Sequence, residues 1–279
     1  MQHSRRIFCR NSAAFCVSTI SAYSFGSPGF GAQPSQRAFK LLNGVQLKSQ
    51  PDLSTFGLEP VNIIYEQFLS KRGGPLNERW PNPELMRVIG ERAAKKGLIT
   101  VLDVESWYRY PLPQRIERYV YLLNAFRAGY GSGPLGYYGV APGWAYKAVI
   151  AGRNSEEYKN WKKRNHLFNP IIELVDFLSP ELYTYTSNAK LWQAFAQETV
   201  LECKRLAKDK PVYPFLMPRY HPFAGPLNNT PIPAKYWRLQ LDTLKEVSDG
   251  LVIWTGPSLN WDSNAPWWQQ TVEFIRDSF

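Results

Sequence analysis

Six short apolar runs alternate along this chain with six longer segments of helical periodicity, and that order restricts the fold more than any other feature. The runs cover residues 61–68, 99–107, 135–141, 175–185, 212–220 and 251–255. The helix-like segments cover 82–96, 113–128, 155–164, 189–208, 233–247 and 266–277. Strands separated by whole helices pair in parallel, because a crossover of that length brings the chain back to the same edge of the sheet. The pattern therefore predicts an α/β fold, a (β/α) TIM-type barrel of seven or eight strands, irregular in places, with a doubly wound open sheet as the alternative. Further strands are expected within 39–45 or near 144–150. Several helices carry boundary signals: Asn82 precedes Pro83, Gly97 follows Lys95 and Lys96, and Gly129 is read as the end of the second helix.

The first 33 residues read as an address. Ser4-Arg5-Arg6-Ile7-Phe8 resembles the twin-arginine export signature, and the weakly apolar run 13–25 and small residues at 29–32 follow it. Residues 34–279 are then expected to form one catalytic barrel domain that reaches the periplasm or is secreted. Beyond that leader, no stretch has the ~18 consecutive apolar residues of a membrane span. Cys9 and Cys16 lie in the leader and only Cys203 follows it, so the exported domain is expected to need no internal disulfide.

The net charge is +10, and removing Arg5, Arg6 and Arg10 with the leader leaves +7. Such a surplus admits an anionic glycan as partner. No run of five or six basic residues forms a nucleic-acid stripe, and no nucleic-acid partner is expected. Aromatic residues make up 15% of the chain, with 10 Trp and 16 Tyr. Rings at that density either fill cores or cover sugar faces.

The most informative segment is Leu98-Ile99-Thr100-Val101-Leu102-Asp103-Val104-Glu105-Ser106-Trp107. Side chains on a strand alternate, so Val101, Asp103, Glu105 and Trp107 share one face, with Leu102 and Val104 on the other. Backbone positions two apart on a strand are separated by about 6 to 7 Å. Coupled carboxylates at that spacing suit acid chemistry, one serving as proton donor while the other stays charged. A structural pair satisfied by Arg or backbone donors is the competing reading, but burying two acids without a use is costly.

Asp103-Val104-Glu105-Ser106-Trp107 resembles the Asp-x-Glu-x-Trp strand of the hyaluronidase family of glycosidases. Further pieces resemble that family in the same order: Gly136-Tyr137-Tyr138, Pro180-Glu181-Leu182-Tyr183, Pro211-Val212-Tyr213 and Asp249-Gly250-Leu251-Val252-Ile253-Trp254. Together they extend over most of residues 98–256. The resemblance implies a retaining, substrate-assisted glycosidase without a cofactor, acting on an N-acetylhexosamine-containing glycan. It implies Glu105 as general acid, Asp103 as the group that orients the substrate's 2-acetamido group, Tyr183 as a donor to that group, and Trp254 as the floor beneath the sugar. Tyr137, Tyr138 and Trp107 are carried along as substrate contacts. The sequence departs from the family after Gly-Tyr-Tyr, where Gly139-Val140-Ala141-Pro142-Gly143-Trp144 replaces an acidic, cysteine-bearing continuation, and the family's stapling cysteines are absent.

Met217-Pro218-Arg219-Tyr220-His221 forms a polar cluster at the expected rim, where Arg219 is a candidate partner for a uronate carboxylate or for Asp103. His3, His166 and His221 are too dispersed for a metal site, so no metal is expected. Glu66 is the spare carboxylate if a separate nucleophile is needed, and the Asn260-Trp261-Asp262 loop is a candidate subsite. Gly131-Ser132-Gly133-Pro134-Leu135-Gly136 has dinucleotide glycine spacing, but it leaves a helix and enters a strand, the reverse of a phosphate-binding context. Ser132 lacks the glycine two residues earlier that a nucleophile elbow requires. Two other readings stay open: a glycosidase with its own carboxylate nucleophile, and a periplasmic glycan-binding barrel without turnover.

Overall fold

A computed structural model describes residues 38–70 and 80–279. The expected export signal lies outside the described residues. The strands are β1 (Lys40–Gly44), β2 (Glu59–Tyr65), β3 (Ile99–Asp103), β4 (Leu135–Tyr137), β5 (Phe215–Leu216) and β6 (Gly250–Trp254). The helices are α1 (Glu66–Leu69), α2 (Pro83–Ala94), α3 (Leu112–Tyr130), α4 (Tyr146–Ala151), α5 (Glu156–Arg164), α6 (Asn169–Leu174), α7 (Ala189–Leu206), α8 (Ala234–Val247) and α9 (Pro266–Ser278). Of the two places where further strands are expected, 39–45 holds β1, whereas 144–150 holds α4. Among the described residues, no helix is long and apolar enough to cross a membrane.

All six strands run parallel in the order β4-β3-β2-β1-β6-β5. A seventh extended segment, 176–184, joins the two edges. On one side Asp176 N–H donates to Leu135 O at 2.7 Å and Gly139 N–H to Ser179 O at 2.9 Å. On the other, Tyr213 N–H donates to Leu178 O at 2.8 Å and Phe215 N–H to Pro180 O at 2.9 Å. The sheet thus curls into an irregular parallel barrel, as expected. The expected strands 175–185 and 212–220 are reduced to isolated bridges and to the two-residue β5 because Pro180, Pro214 and Pro218 cannot donate to a ladder.

Helix ends follow local chemistry. The Asn82 side chain accepts from Leu85 N–H ahead of α2, Ser155 accepts from Tyr158 N–H ahead of α5, and Asn188 accepts from Leu191 N–H ahead of α7. Glu156 and Glu157 open α5 while Lys162, Lys163 and Arg164 close it, matching the helix dipole.

The core has two layers. Leu42, Val101, Phe177, Phe215 and Val252 fill the barrel, with Val61, Ile63 and Ile99 against them. A larger layer, including Leu41, Leu102, Val104, Phe126, Leu135, Phe195 and Leu251, lies between sheet and helices. Successive residues of one strand enter different layers, which is the period-two signature of a sheet apolar on both faces.

Gly129 does not end a helix. α3 continues to Tyr130, and Gly129 sits where α3 crosses α2, so close that a Cβ there would run into the Arg87 carbonyl. Gly90 makes the reciprocal approach against the Phe126 carbonyl. Gly129→Ala should therefore destabilise the chain by about 1–3 kcal/mol or more through overpacking against rigid backbone. Urea unfolding measures it, and an unchanged midpoint would contradict the close crossing.

Candidate active site

The carboxyl ends of the strands carry a polar and aromatic mouth above the apolar filling. On β3, Ile99 and Val101 face the barrel interior, and Asp103 follows them on the same face, half-buried. Its β2 neighbour in register is Tyr65. The strand ends there. Val104 turns outward into the core and its carbonyl accepts from Tyr119 Oη at 2.9 Å. Glu105 has helical backbone angles, φ −93° and ψ −27°, and leads into a 3-10 turn at Ser106–Arg109.

That turn corrects the expected alternation. Glu105 stands exposed at the rim, whereas Trp107 is 1% exposed and packs on Tyr119 with ring centroids 5.0 Å apart in the outer layer. Trp107 is a core residue and not a substrate contact. Tyr137 is another: it is 4% exposed, faces the helices, and donates to the Tyr119 carbonyl at 2.9 Å. Its successor Tyr138 faces inward.

Tyr138, Tyr183 and Trp254 do come together. The Tyr183 and Trp254 rings stack at 6.0 Å and 28°, and Tyr138 lies 5.9 Å from Tyr183. Trp254 Nε1–H donates to Tyr65 Oη at 3.0 Å, which fixes the indole against β2. The Arg219 backbone bridges to Pro231, and among the described residues its side chain makes no ion pair with Asp103 or any other carboxylate. In the Asn260-Trp261-Asp262 loop, the Trp261 ring packs on Trp267 and Trp268.

Glu181 is the residue that the sequence reading did not single out as chemical. It follows Phe177 and Ser179 on the inward face of the seventh segment. Tyr138 Oη donates to Glu181 Oε2 at 2.8 Å, and Tyr185 Oη donates to Oε1. The signal was present in the alternation Phe177, Ser179, Glu181, Tyr183, Tyr185, the same rule that placed Asp103.

Electrostatics bind these groups into one site. Burial, followed by the Glu181 charge, raises the phenols of Tyr138, Tyr183 and Tyr185 well above their ordinary value. Asp103 and Glu105 act in the same direction on Tyr138 and Tyr183, and Glu105 on Tyr185 as well. Exposed Glu105 and half-buried Asp103 thus act on the same row of tyrosines. All three phenols keep their protons at neutral pH and can serve as hydrogen-bond donors.

Glu66 has a different task from the one expected of it. Its Oε2 accepts from Ser106 N–H at 3.0 Å and its Oε1 accepts from the Ser106 hydroxyl. Both oxygens thus anchor the turn that begins at Glu105.

The fold is similar to that of bee venom hyaluronidase, with a TM-score of 0.58 and 14% identity over 86% of this chain and 98% of that one. A second structure, bee venom hyaluronidase in complex with a hyaluronic acid tetramer, matches with a TM-score of 0.57 and 13% identity over 85% of this chain and 95% of that one. These likenesses agree with the resemblance seen in the sequence and establish the barrel fold. No protein-family model matches the chain, and no curated protein does.

The raised phenols give stability a defined pH dependence. Above the ordinary tyrosine value of 10.0 the unfolded chain releases these protons while the folded chain retains them, so the unfolding free energy falls as pH rises. Urea titrations between about pH 8 and pH 11, read alongside tyrosinate absorbance, should show stability level up to about 10 and declining beyond it. Constant stability through that range would contradict the burial of the three hydroxyls.

Proposed function

We propose that the chain is a glycoside hydrolase that cleaves an N-acetylhexosamine-containing glycan with retention, the substrate's own acetamido group acting as nucleophile. The observation that carries this reading is the convergence at one barrel mouth of Asp103, Glu105, the Tyr138–Glu181–Tyr185 group and the stacked Tyr183–Trp254 pair. Glu105, at the rim and open to solvent, protonates the glycosidic oxygen and then accepts a proton from the attacking water. Asp103, deeper on the same strand, orients the acetamido N–H and offsets charge on the oxazolinium-like intermediate. Protonated Tyr183 donates to the acetamido oxygen, and Trp254 carries the apolar face of the sugar.

Hyaluronic acid, the ligand named for bee venom hyaluronidase, contains such a sugar, and the basic surplus of this chain suits an anionic polymer. The Arg-Arg leader supports export through the twin-arginine route. One observation favours a second mechanism: Glu181, on the segment that bonds to β4, is an inward carboxylate, and direct attack by it on the anomeric carbon is the alternative to the acetamido group. Glu66, whose oxygens accept from the Ser106 N–H and hydroxyl, is assigned the positioning of the turn behind Glu105.

The full chain incubated with hyaluronan, chondroitin, chito-oligosaccharides and peptidoglycan should release new reducing ends from at least one of them. Glu105→Gln should lower kcat by about 10²- to 10⁴-fold with the circular dichroism spectrum unchanged. A fully active variant, or a blank panel, would overturn the reading. Cleavage of substrates lacking the acetamido group, abolished in Glu181→Gln, would support direct attack instead.

Glu66→Ala releases the turn behind Glu105. It should lower kcat by about 10- to 100-fold with little change in KM, because misplacing a reacting group costs rate more than binding. Equal loss in both parameters would show that Glu66 touches substrate.

A further inference from the structure

The ring row at the mouth does not stop at Tyr183. His221 lies 6.0 Å from Tyr183 and 4.4 Å from Tyr185, and Tyr185 lies 5.4 Å from Trp144. Trp144 is 48% exposed although it is among the largest apolar side chains of the protein. Tyr146 covers one of its faces at 5.7 Å and 28°, and Tyr185 meets it nearly edge-on at 69°. The indole is thus fixed by two ring contacts while about half of it is open to solvent.

The backbone beside this ring is held from within. Gly143 N–H donates to Asn165 Oδ1 at 3.0 Å, and Trp161 Nε1–H donates to Gly143 O at 2.6 Å. Asn165 is 1% exposed and donates to Glu202 Oε1 at 2.9 Å, and Glu202 is itself fully buried against Lys162 and Arg205. A buried carboxylate with two cationic partners is an expensive way to stabilise a fold compared with apolar packing. Here its outcome is that both backbone polar groups of Gly143 are held, one residue before an exposed tryptophan. Flanking Ala141 and Ala145, at 5% and 1% exposure, anchor the loop further.

We propose that Trp144 is a sugar-stacking subsite of this chain, taking an uncharged pyranose face of the glycan whose reacting unit lies over Trp254. The inference rests on the glycosidase reading for the reacting unit, and on the ring row for the path between the two. An indole presents a wide, rigid apolar face with little entropy left to lose, which is what the C–H face of a pyranose requires. Its place in 139–144, where this chain departs from the hyaluronidase pattern, makes the subsite a property of this sequence.

The test uses the full chain and oligosaccharides of increasing length from whichever panel member is cleaved. In Trp144→Ala, KM for the longest oligosaccharides should rise about tenfold relative to that for the shortest one cleaved, as expected for losing one stacked ring. Trp144→Tyr should restore most of the loss. Asn165→Ala, which keeps the indole but releases Gly143, should show a smaller loss with the same length dependence. Leu85→Ala, removing a similarly exposed apolar side chain on α2, should leave the KM ratio unchanged. A KM ratio that is the same in Trp144→Ala and the unaltered chain would overturn the proposal.

If no panel member is cleaved, calorimetric binding of the same oligosaccharides decides. An approximately tenfold loss of affinity in Trp144→Ala would support the subsite while the glycosidase reading fails. No binding, or binding indifferent to Trp144, would overturn the subsite as well.

Discussion

Closure of the parallel sheet through the peptide groups of 176–184 is the constraint on which everything else depends. This segment bonds to β4 on one side and to 211–216 on the other, so the barrel interior is defined all the way round. Once the circuit is closed, the two-residue period of each strand decides which side chains share the interior. Ile99, Val101 and Asp103 belong to it from β3, and Phe177 and Tyr183 from the seventh segment, with Tyr185 just beyond its end. Apolar members fill the middle, and polar ones emerge where the strands end.

The mouth is rich in phenols held by carboxylates. Glu181 accepts from two tyrosine hydroxyls, and Tyr65 accepts from Trp254, so large rings are locked by their polar tips while their faces pack on one another. Aromatic side chains with one polar handle lose few rotamers when fixed in this way, which suits a site that must be formed before substrate arrives. Burial, and after it the nearby carboxylate charges, keep the phenols protonated.

Two loops at this mouth are held by one device. Glu66 receives the backbone N–H and hydroxyl of Ser106, and Asn165 receives the backbone N–H of Gly143. In each case a polar side chain from another element satisfies a loop peptide that no strand ladder reaches. The residues thereby held are neighbours of Glu105 and Trp144, the two exposed side chains that matter most for the proposed chemistry. Precision at an exposed position comes from such buried anchors.

The sequence by itself determined the alternation of strands with helices, the parallel barrel, the Asn82 start of α2 and the inward placement of Asp103, because hydrophobic period and capping chemistry are local. Most of the aromatic group at the mouth was legible too, through the resemblance that pointed to Tyr138, Tyr183 and Trp254. Only the tertiary structure decided that β3 stops at Asp103, that Trp107 and Tyr137 belong to the outer core, and that Gly129 serves a helix crossing. It also brought Glu181 to the tyrosines and Glu66 to Ser106. Alternation says which residues share a face as long as the strand lasts; where the strand ends, and which distant side chain meets the loop beyond it, follows from packing between elements far apart in the chain.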